Sequence, residues 1–162
     1  MPQPRGRVGT KADMEQIRSH GNVSYHVQVS LDPAIDHDQF RVYSGFGQQL
    51  GPIVQFGAAG VIDGMAAYFP KTVVRLMSLV EKGERDAETT AEIHRLQYIV
   101  SRAEEFIVRY GILGIREAVF RVTGHGNREG GRLPLRGALS DADWEKGRTA
   151  FLLDIEKTEA SL

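Results

Sequence analysis

The sequence predicts an α/β fold built from parallel βα units and closed by a run of helices. Three observations predict it. Short apolar runs bounded by glycine or a turn residue, at residues 6–11, at FRVYSG and at AAGVIDG, alternate with helical stretches. The 18 glycines lie in short loops between apolar runs, not in one tract. Residues 86–110 carry Ile93, Leu96, Val100, Ala103, Ile107 and Tyr110 at alternating steps of three and four, a single helical stripe.

Each element follows from its local pattern. Residues 6–11 read as a short strand entering a turn, and residues 13–20 as a short helix closed by Gly21. VSYHVQVS alternates Val23, Tyr25, Val27 and Val29 with polar partners, which predicts a strand with one wet face, although it breaks the βα rhythm. FRVYSG predicts a strand ended by Gly45. QLGPIVQFG predicts a short amphipathic helix, with Pro52 tolerated near its first turn. AAGVIDG, small and apolar between glycines, predicts a buried strand. Pro70 opens a helix with Val73, Val74, Met77 and Val80 on one side, ended by Gly83. The long stripe follows and Gly111 stops it, before a shorter helix with Ile115, Ala118, Val119 and Val122. After the loop GHGNREGGRLPL, Ser140 caps a last helix with Asp143 in capping-box register, and Trp144, Phe151, Leu152 and Ile155 form its apolar face.

The chain of 162 residues suffices for one domain with a real core, and no boundary or internal repeat divides it. A net charge of −1 and the lack of a basic stripe argue against a nucleic-acid partner. Without cysteine there is no disulfide scaffold, no thiol nucleophile and no cysteine–zinc site. No apolar run reaches membrane-spanning length, and MPQPRGR lacks the apolar core of a secretory signal. These features predict a cytoplasmic protein with no membrane partner.

Few residues carry candidate chemistry. Asp36, His37 and Asp38 are neighbours in one loop, and adjacent residues rarely converge on one metal ion, so they read as a solvated loop. His94 reads as a surface residue of the long helix, and His125 sits in a glycine-rich loop. That loop, GHGNREGG, follows a helix and has neither dinucleotide nor P-loop spacing, so it reads as a connection. Lys11, Gly45 and Ile62 remain together. Lys11 and Gly45 end two of the expected strands and Ile62 lies in the third, and the carboxyl ends of parallel strands are where α/β sites form. A lysine there, walled by apolar neighbours, has its pKa lowered by desolvation, and a neutral amine can attack a ketone to form a Schiff base.

FRVYSG, LGPIVQFGAAGVIDGMAAYFPKTVVRL, GILGIREAVFRVTG and GRLPL, in this order, resemble the C-terminal part of the dihydrodipicolinate synthase / N-acetylneuraminate lyase family. The likeness runs from about Val8 to about Leu139 and is nearest in flavour to the hydroxy-oxoglutarate aldolase and fungal deoxy-sugar-acid aldolase branch. It implies a partial (β/α)8 TIM barrel, about the sixth to eighth units over residues 1–84, followed by C-terminal helices over 85–162. It implies Lys11, in a Gly9-Thr10-Lys11 motif, as the imine-forming amine, Gly45 as a pocket border, and Ile62, in Gly60-Val61-Ile62, as a backbone carbonyl at the pocket. The substrate class so implied is pyruvate or a related 2-oxo acid, with no cofactor and no metal. The chain departs from the family pattern at Ala67, where asparagine is common, at Phe46, where a small or acidic residue is common, and in a longer stretch between Lys11 and Phe40.

A complete barrel of this type takes about 250 residues. The family's hydroxyl pair for the substrate carboxylate and its proton-relaying tyrosine lie in its first half, and no residue here matches them. The expectation is a truncated aldolase whose open strand edges favour a homo-oligomer or a complementing chain. The alternative is a catalytically inactive family remnant that serves as an interaction partner.

Overall fold

Where the alternation of VSYHVQVS predicts a strand, the chain forms helix α1 (Val23–Ser30). The structure is a computed structural model and describes residues 23–162. The strand expected at 6–11, the helix expected at 13–20 and Lys11 lie outside the described residues. The correction at α1 has a physical reason. Val23, Val27 and Ser30 also stand at helical spacing, and Tyr25, Val27 and Val29 are all half-buried, so the period of two separates no wet face from a dry one. Ser30 is buried beside Gly57, with its carbonyl oxygen 3.6 Å from where a Cβ on that glycine would stand. Packing decides the conformation over β propensity.

The small sheet is a parallel pair, β1 (Tyr43–Ser44) and β2 (Gly60–Val61), with Tyr43 opposite Gly60 and Ser44 opposite Val61. Hydrogen bonds extend it one residue each way: Ala59 N–H donates to the Val42 carbonyl and Ile62 N–H to the Ser44 carbonyl, both at 2.8 Å. Parallel strands need a crossover. Here it is a 3₁₀ turn (Gly47–Gln49) running into helix α2 (Leu50–Gln55). Pro52 falls in the first turn of α2, where a missing N–H costs no intrahelical bond.

A second 3₁₀ turn (Met65–Ala67) leads from β2 into α3 (Pro70–Val80), which starts on its proline. The buried face of α3 is Thr72, Val73, Leu76, Leu79 and Val80. Val74 is 65% exposed, a correction to the expected face, whereas Val73 and Val80 are buried and Met77 packs against the core. Asp86 caps α4 (Ala87–Thr123) by accepting the Thr89 N–H at 2.7 Å. The stripe of α4 buries Ile93, Leu96, Val100 and Ala103, with Ile107 and Tyr110 packed against the core. Gly111 divides α4 into two helical parts, as the sequence predicts. Its φ of 58° and ψ of −149° lie outside helical space, and the helix resumes directly beyond it. Gly124, at φ 75°, closes α4 and donates its N–H to the Phe120 carbonyl.

Ser140 caps α5 (Asp141–Gly147), accepting the Asp143 N–H at 3.0 Å and donating to the Asp143 carboxylate at 2.7 Å. The last helix expected from sequence runs without a gap through α5, a π-helical turn (Arg148–Leu152) and α6 (Leu153–Ser161). Within this run Trp144, Leu152 and Ile155 are buried. One core joins α2, α3, α4 and these last helices, from Leu50 through Leu76, Leu96 and Phe106 to Trp144 and Ile155. Two arginine–carboxylate forks tie its margins: Arg75 to Glu92 at 2.9 and 2.8 Å, and Arg148 to Glu156 at 2.7 Å on both arms. Glu159 on α6 accepts the N–H groups of Lys71 and Thr72 at 2.8 and 2.7 Å, and the Thr72 hydroxyl at 2.7 Å. Among the described residues no helix is long and apolar enough to cross a membrane.

Candidate functional site

Strand pairing brings two of the three expected site residues together. Gly45 directly follows β1 and Ile62 directly follows β2, and the bond from Ile62 N–H to the Ser44 carbonyl sets the two carboxyl ends side by side. Gly45 is exposed, and a Cβ built on it would meet nothing within 4 Å. The Ile62 side chain is 74% exposed. An open glycine and an outward isoleucine at adjacent strand ends leave main-chain groups accessible to a small molecule. The third residue of the set, Lys11, is not among the described residues.

The turn after β1 is held from below. The Ser44 hydroxyl donates to Gln49 Oε1 at 2.6 Å and accepts the Phe46 N–H at 3.1 Å. Gln97 of α4 donates to the carbonyls of Gly47 and Gln48 at 3.1 and 3.2 Å, and its Oε1 accepts the Gly51 N–H at 2.8 Å. One glutamine amide thus satisfies three main-chain groups of the crossover.

Beneath this turn lies a buried polar cluster that the sequence reading did not single out: Asp63, Tyr68 and Glu104. Asp63 follows Ile62 and accepts the Ala66 N–H at 2.7 Å through Oδ1. Burial raises its pKa, against the amides of Ala66 and Met65. Burial, then the Asp63 charge, pushes the Glu104 carboxyl up to about 8, with the Gly47 amide acting in the opposite direction. Burial and both carboxylates raise the Tyr68 hydroxyl as well. The signal for Glu104 was present in the sequence. It stands four residues after Val100 and three before Ile107, inside the arc of the apolar stripe.

The remaining candidates are accounted for locally. His37 Nε2 lies 2.9 Å from the Asp32 carbonyl oxygen, and Asp36 accepts the Asp38 N–H at 3.1 Å, so these residues shape their own loop. His94 is exposed, and His125 Nδ1 lies 3.2 Å from the Thr123 hydroxyl. Arginines strap the loop that contains GHGNREGG. Arg128 and Arg121 reach the buried Glu117 at 2.8 and 2.7 Å, and Arg116 donates to the carbonyls of Leu135 and Gly137. A groove of about 770 Å³ between α3, α4 and the last helices is lined by Lys71, Arg121, Trp144, Arg148 and Glu156, with neither Gly45 nor Ile62 on its walls. Its two arginines are already paired, with Glu117 and Asp141 and with Glu156.

A parallel strand pair with adjoining open carboxyl ends, backed by helices, is the layout of a (β/α)8-barrel fragment. The profile of the dihydrodipicolinate synthetase family matches residues 12–148, and the chain belongs to that family. The match begins one residue after Lys11. Solved structures share the fold. A dihydrodipicolinate synthase family protein from Coccidioides immitis superposes with a TM-score of 0.70 at 22% identity, over 87% of this chain and 45% of that one. A variant of the Sulfolobus solfataricus 2-keto-3-deoxygluconate aldolase gives a TM-score of 0.66 at 16% identity, over 87% and 44%. The same aldolase in complex with D-KDPG gives 0.64 at 17% identity, over 88% and 44%. The chain therefore spans under half the length of the solved relatives it matches. Among the described residues the architecture is mostly helical with one small sheet.

Proposed function

We propose that this chain is the lysine-bearing part of a Schiff-base aldolase or lyase that acts on pyruvate or a related 2-oxo acid. On this reading residues 1–84 are the sixth to eighth βα units, residues 85–162 are the C-terminal helical region, and the site of action is the cytoplasm. The observation that carries the proposal is the meeting of Gly45 and Ile62 at the adjoining carboxyl ends of β1 and β2. These are the positions that border the pocket if Lys11 ends the preceding strand.

The chemistry follows from a neutral amine. Lys11 Nζ attacks the C2 carbonyl of the 2-oxo acid, and the carbinolamine takes a proton on its hydroxyl and loses water to give a protonated imine. In the cleavage direction the C3–C4 bond breaks, its electron pair passes into the imine to form an enamine, and the C4 hydroxyl loses its proton as the aldehyde departs. The enamine then takes a proton at C3, and water releases the 2-oxo acid and restores the amine. Gly45 leaves room for the substrate, and the Ile62 carbonyl accepts a hydrogen bond at the pocket margin. The carboxylate clamp and the proton relay match no residue of this chain. They come from further polypeptide, a second copy or a complementing chain.

Reductive trapping tests the proposal. The full chain is incubated with pyruvate and borohydride, digested and analysed by mass spectrometry. The expected result is a pyruvate-derived mass increment on the peptide that holds Lys11, absent from Lys11→Ala. An unmodified Lys11 peptide overturns the assignment.

A further inference from the structure

Asp63 and Glu104 both point at Gly47. A Cβ on that glycine would stand 2.5 Å from Asp63 Oδ2 and 3.2 Å from Glu104 Oε1. Both oxygens are buried, and neither has a hydrogen-bond partner. Glu104 as a whole is 1% exposed. Two ionised carboxylates do not share a dry site without a cation. Among the described residues no lysine, arginine or histidine forms an ion pair with either acid.

Among the described residues, the elements packed around α4 bring no free cation to the pair. On α3, Arg75 is held by Glu92, and Lys71 reaches the Glu159 carbonyl. Arg148 of the π-helical turn is held by Glu156, and Arg102 of α4 itself donates to the Ala150 carbonyl. Asp154 and Lys157 of α6 are exposed, as is Glu105 beside Gln48. The two 3₁₀ turns and α2 contain no ionisable side chain, and Tyr68 adds only a hydroxyl.

We propose that Glu104 keeps its proton because it is buried with the Asp63 carboxylate around Gly47, and that this proton latches the turn at residues 45–47 and the end of β2 to α4. Glu104 is the protonated member. It lies deeper, whereas the Asp63 charge is held by main-chain amides. When the proton leaves, a second charge arrives in a site where, among the described residues, only the Gly47 amide favours it. That charge strains the contact among Gly47, Asp63 and Glu104. Gly45 lies two residues from Gly47, and Ile62 is the neighbour of Asp63, so both strand ends depend on the proton. The latch stands apart from the proposed role of Lys11 and operates with or without catalysis.

The sign of the effect is fixed. The Glu104 carboxyl is raised from 4.5 to about 8, so between these values the folded chain holds a proton that the unfolded chain has lost. Stability from this group therefore declines as pH rises through that window and levels off above it. The test follows the urea midpoint of the full chain from about pH 5 to about pH 9, together with the infrared C=O stretch of a protonated carboxylic acid. The wild type is expected to lose midpoint as pH rises and to show the acid band near neutrality. Glu104→Gln is expected to lose the band and flatten the slope. Asp63→Asn is expected to move the loss of the band to lower pH. A wild type without an acid band near neutrality overturns the proposal even if Glu104→Gln fails to fold. So does a Glu104→Gln variant with the wild-type slope.

Discussion

Gly147 offers only a hydrogen atom to α4. A Cβ there would stand 2.6 Å from Tyr110 Cε2 and 2.7 Å from Phe106 Cε2, closer than carbon atoms pack. Gly147→Ala is therefore expected to cost about 1–3 kcal/mol by overpacking, read as a lower urea midpoint. Gly83→Ala, where nothing lies within 4 Å of the added carbon, is the control and is expected to change little. At this scale the sequence was uneven in what it disclosed. The caps at Ser140 and Pro70 were legible because capping depends on a residue and its near neighbours. The adjacency of Gly45 and Ile62 was legible once parallel strands were inferred. Asp63 was not, because nothing in AAGVIDG shows that its last aspartate turns inward against a helix some forty positions downstream. A lone acid between apolar residues has its meaning only in three dimensions.

The first turn of α3 shows how one element depends on another. Phe69, at its N-cap, provides no side-chain hydrogen bond. Glu159 of α6 supplies the missing acceptor and places a negative charge at the positive end of the helix. Glu159→Ala is expected to lower stability by about 1–2 kcal/mol, with faster amide exchange at Thr72 than in the wild type. The remote cap could not be read from sequence, since Phe69-Pro70 predicts where the helix starts but not what satisfies its free N–H groups. The α1 segment teaches the same point in reverse. Its alternation is a true strand signal, yet β1 is paired with β2, and the segment instead packs beside α2 as a helix. Gly111 was correctly read as a place where helical geometry fails. Its open surroundings allow the chain to turn there and start the shorter helix beyond it.

The described residues share one core, and that shapes how they come apart. Leu50 from the crossover, Leu76 from α3, Phe106 from α4 and Trp144 from α5 belong to a single buried cluster. Urea unfolding is expected to give coincident transitions by Trp144 fluorescence and by far-ultraviolet circular dichroism, because neither the βα part nor the helical part keeps a core of its own. Separated transitions would show two independent units. The broad order of the fold was legible because periodicity and glycine punctuation are local signals that add up along the chain. The length of the β1–β2 pairing was not, because pairing length depends on which strands stand on either side.

The contact between Lys71, Thr72 and Glu159 also bears on how the protein is made. The two ends of that contact are 87 to 88 positions apart. On a ribosome, the start of α3 emerges long before the carboxylate that completes it. Until then its leading amides are left to water, so translation must pass Glu159 before this helix is finished.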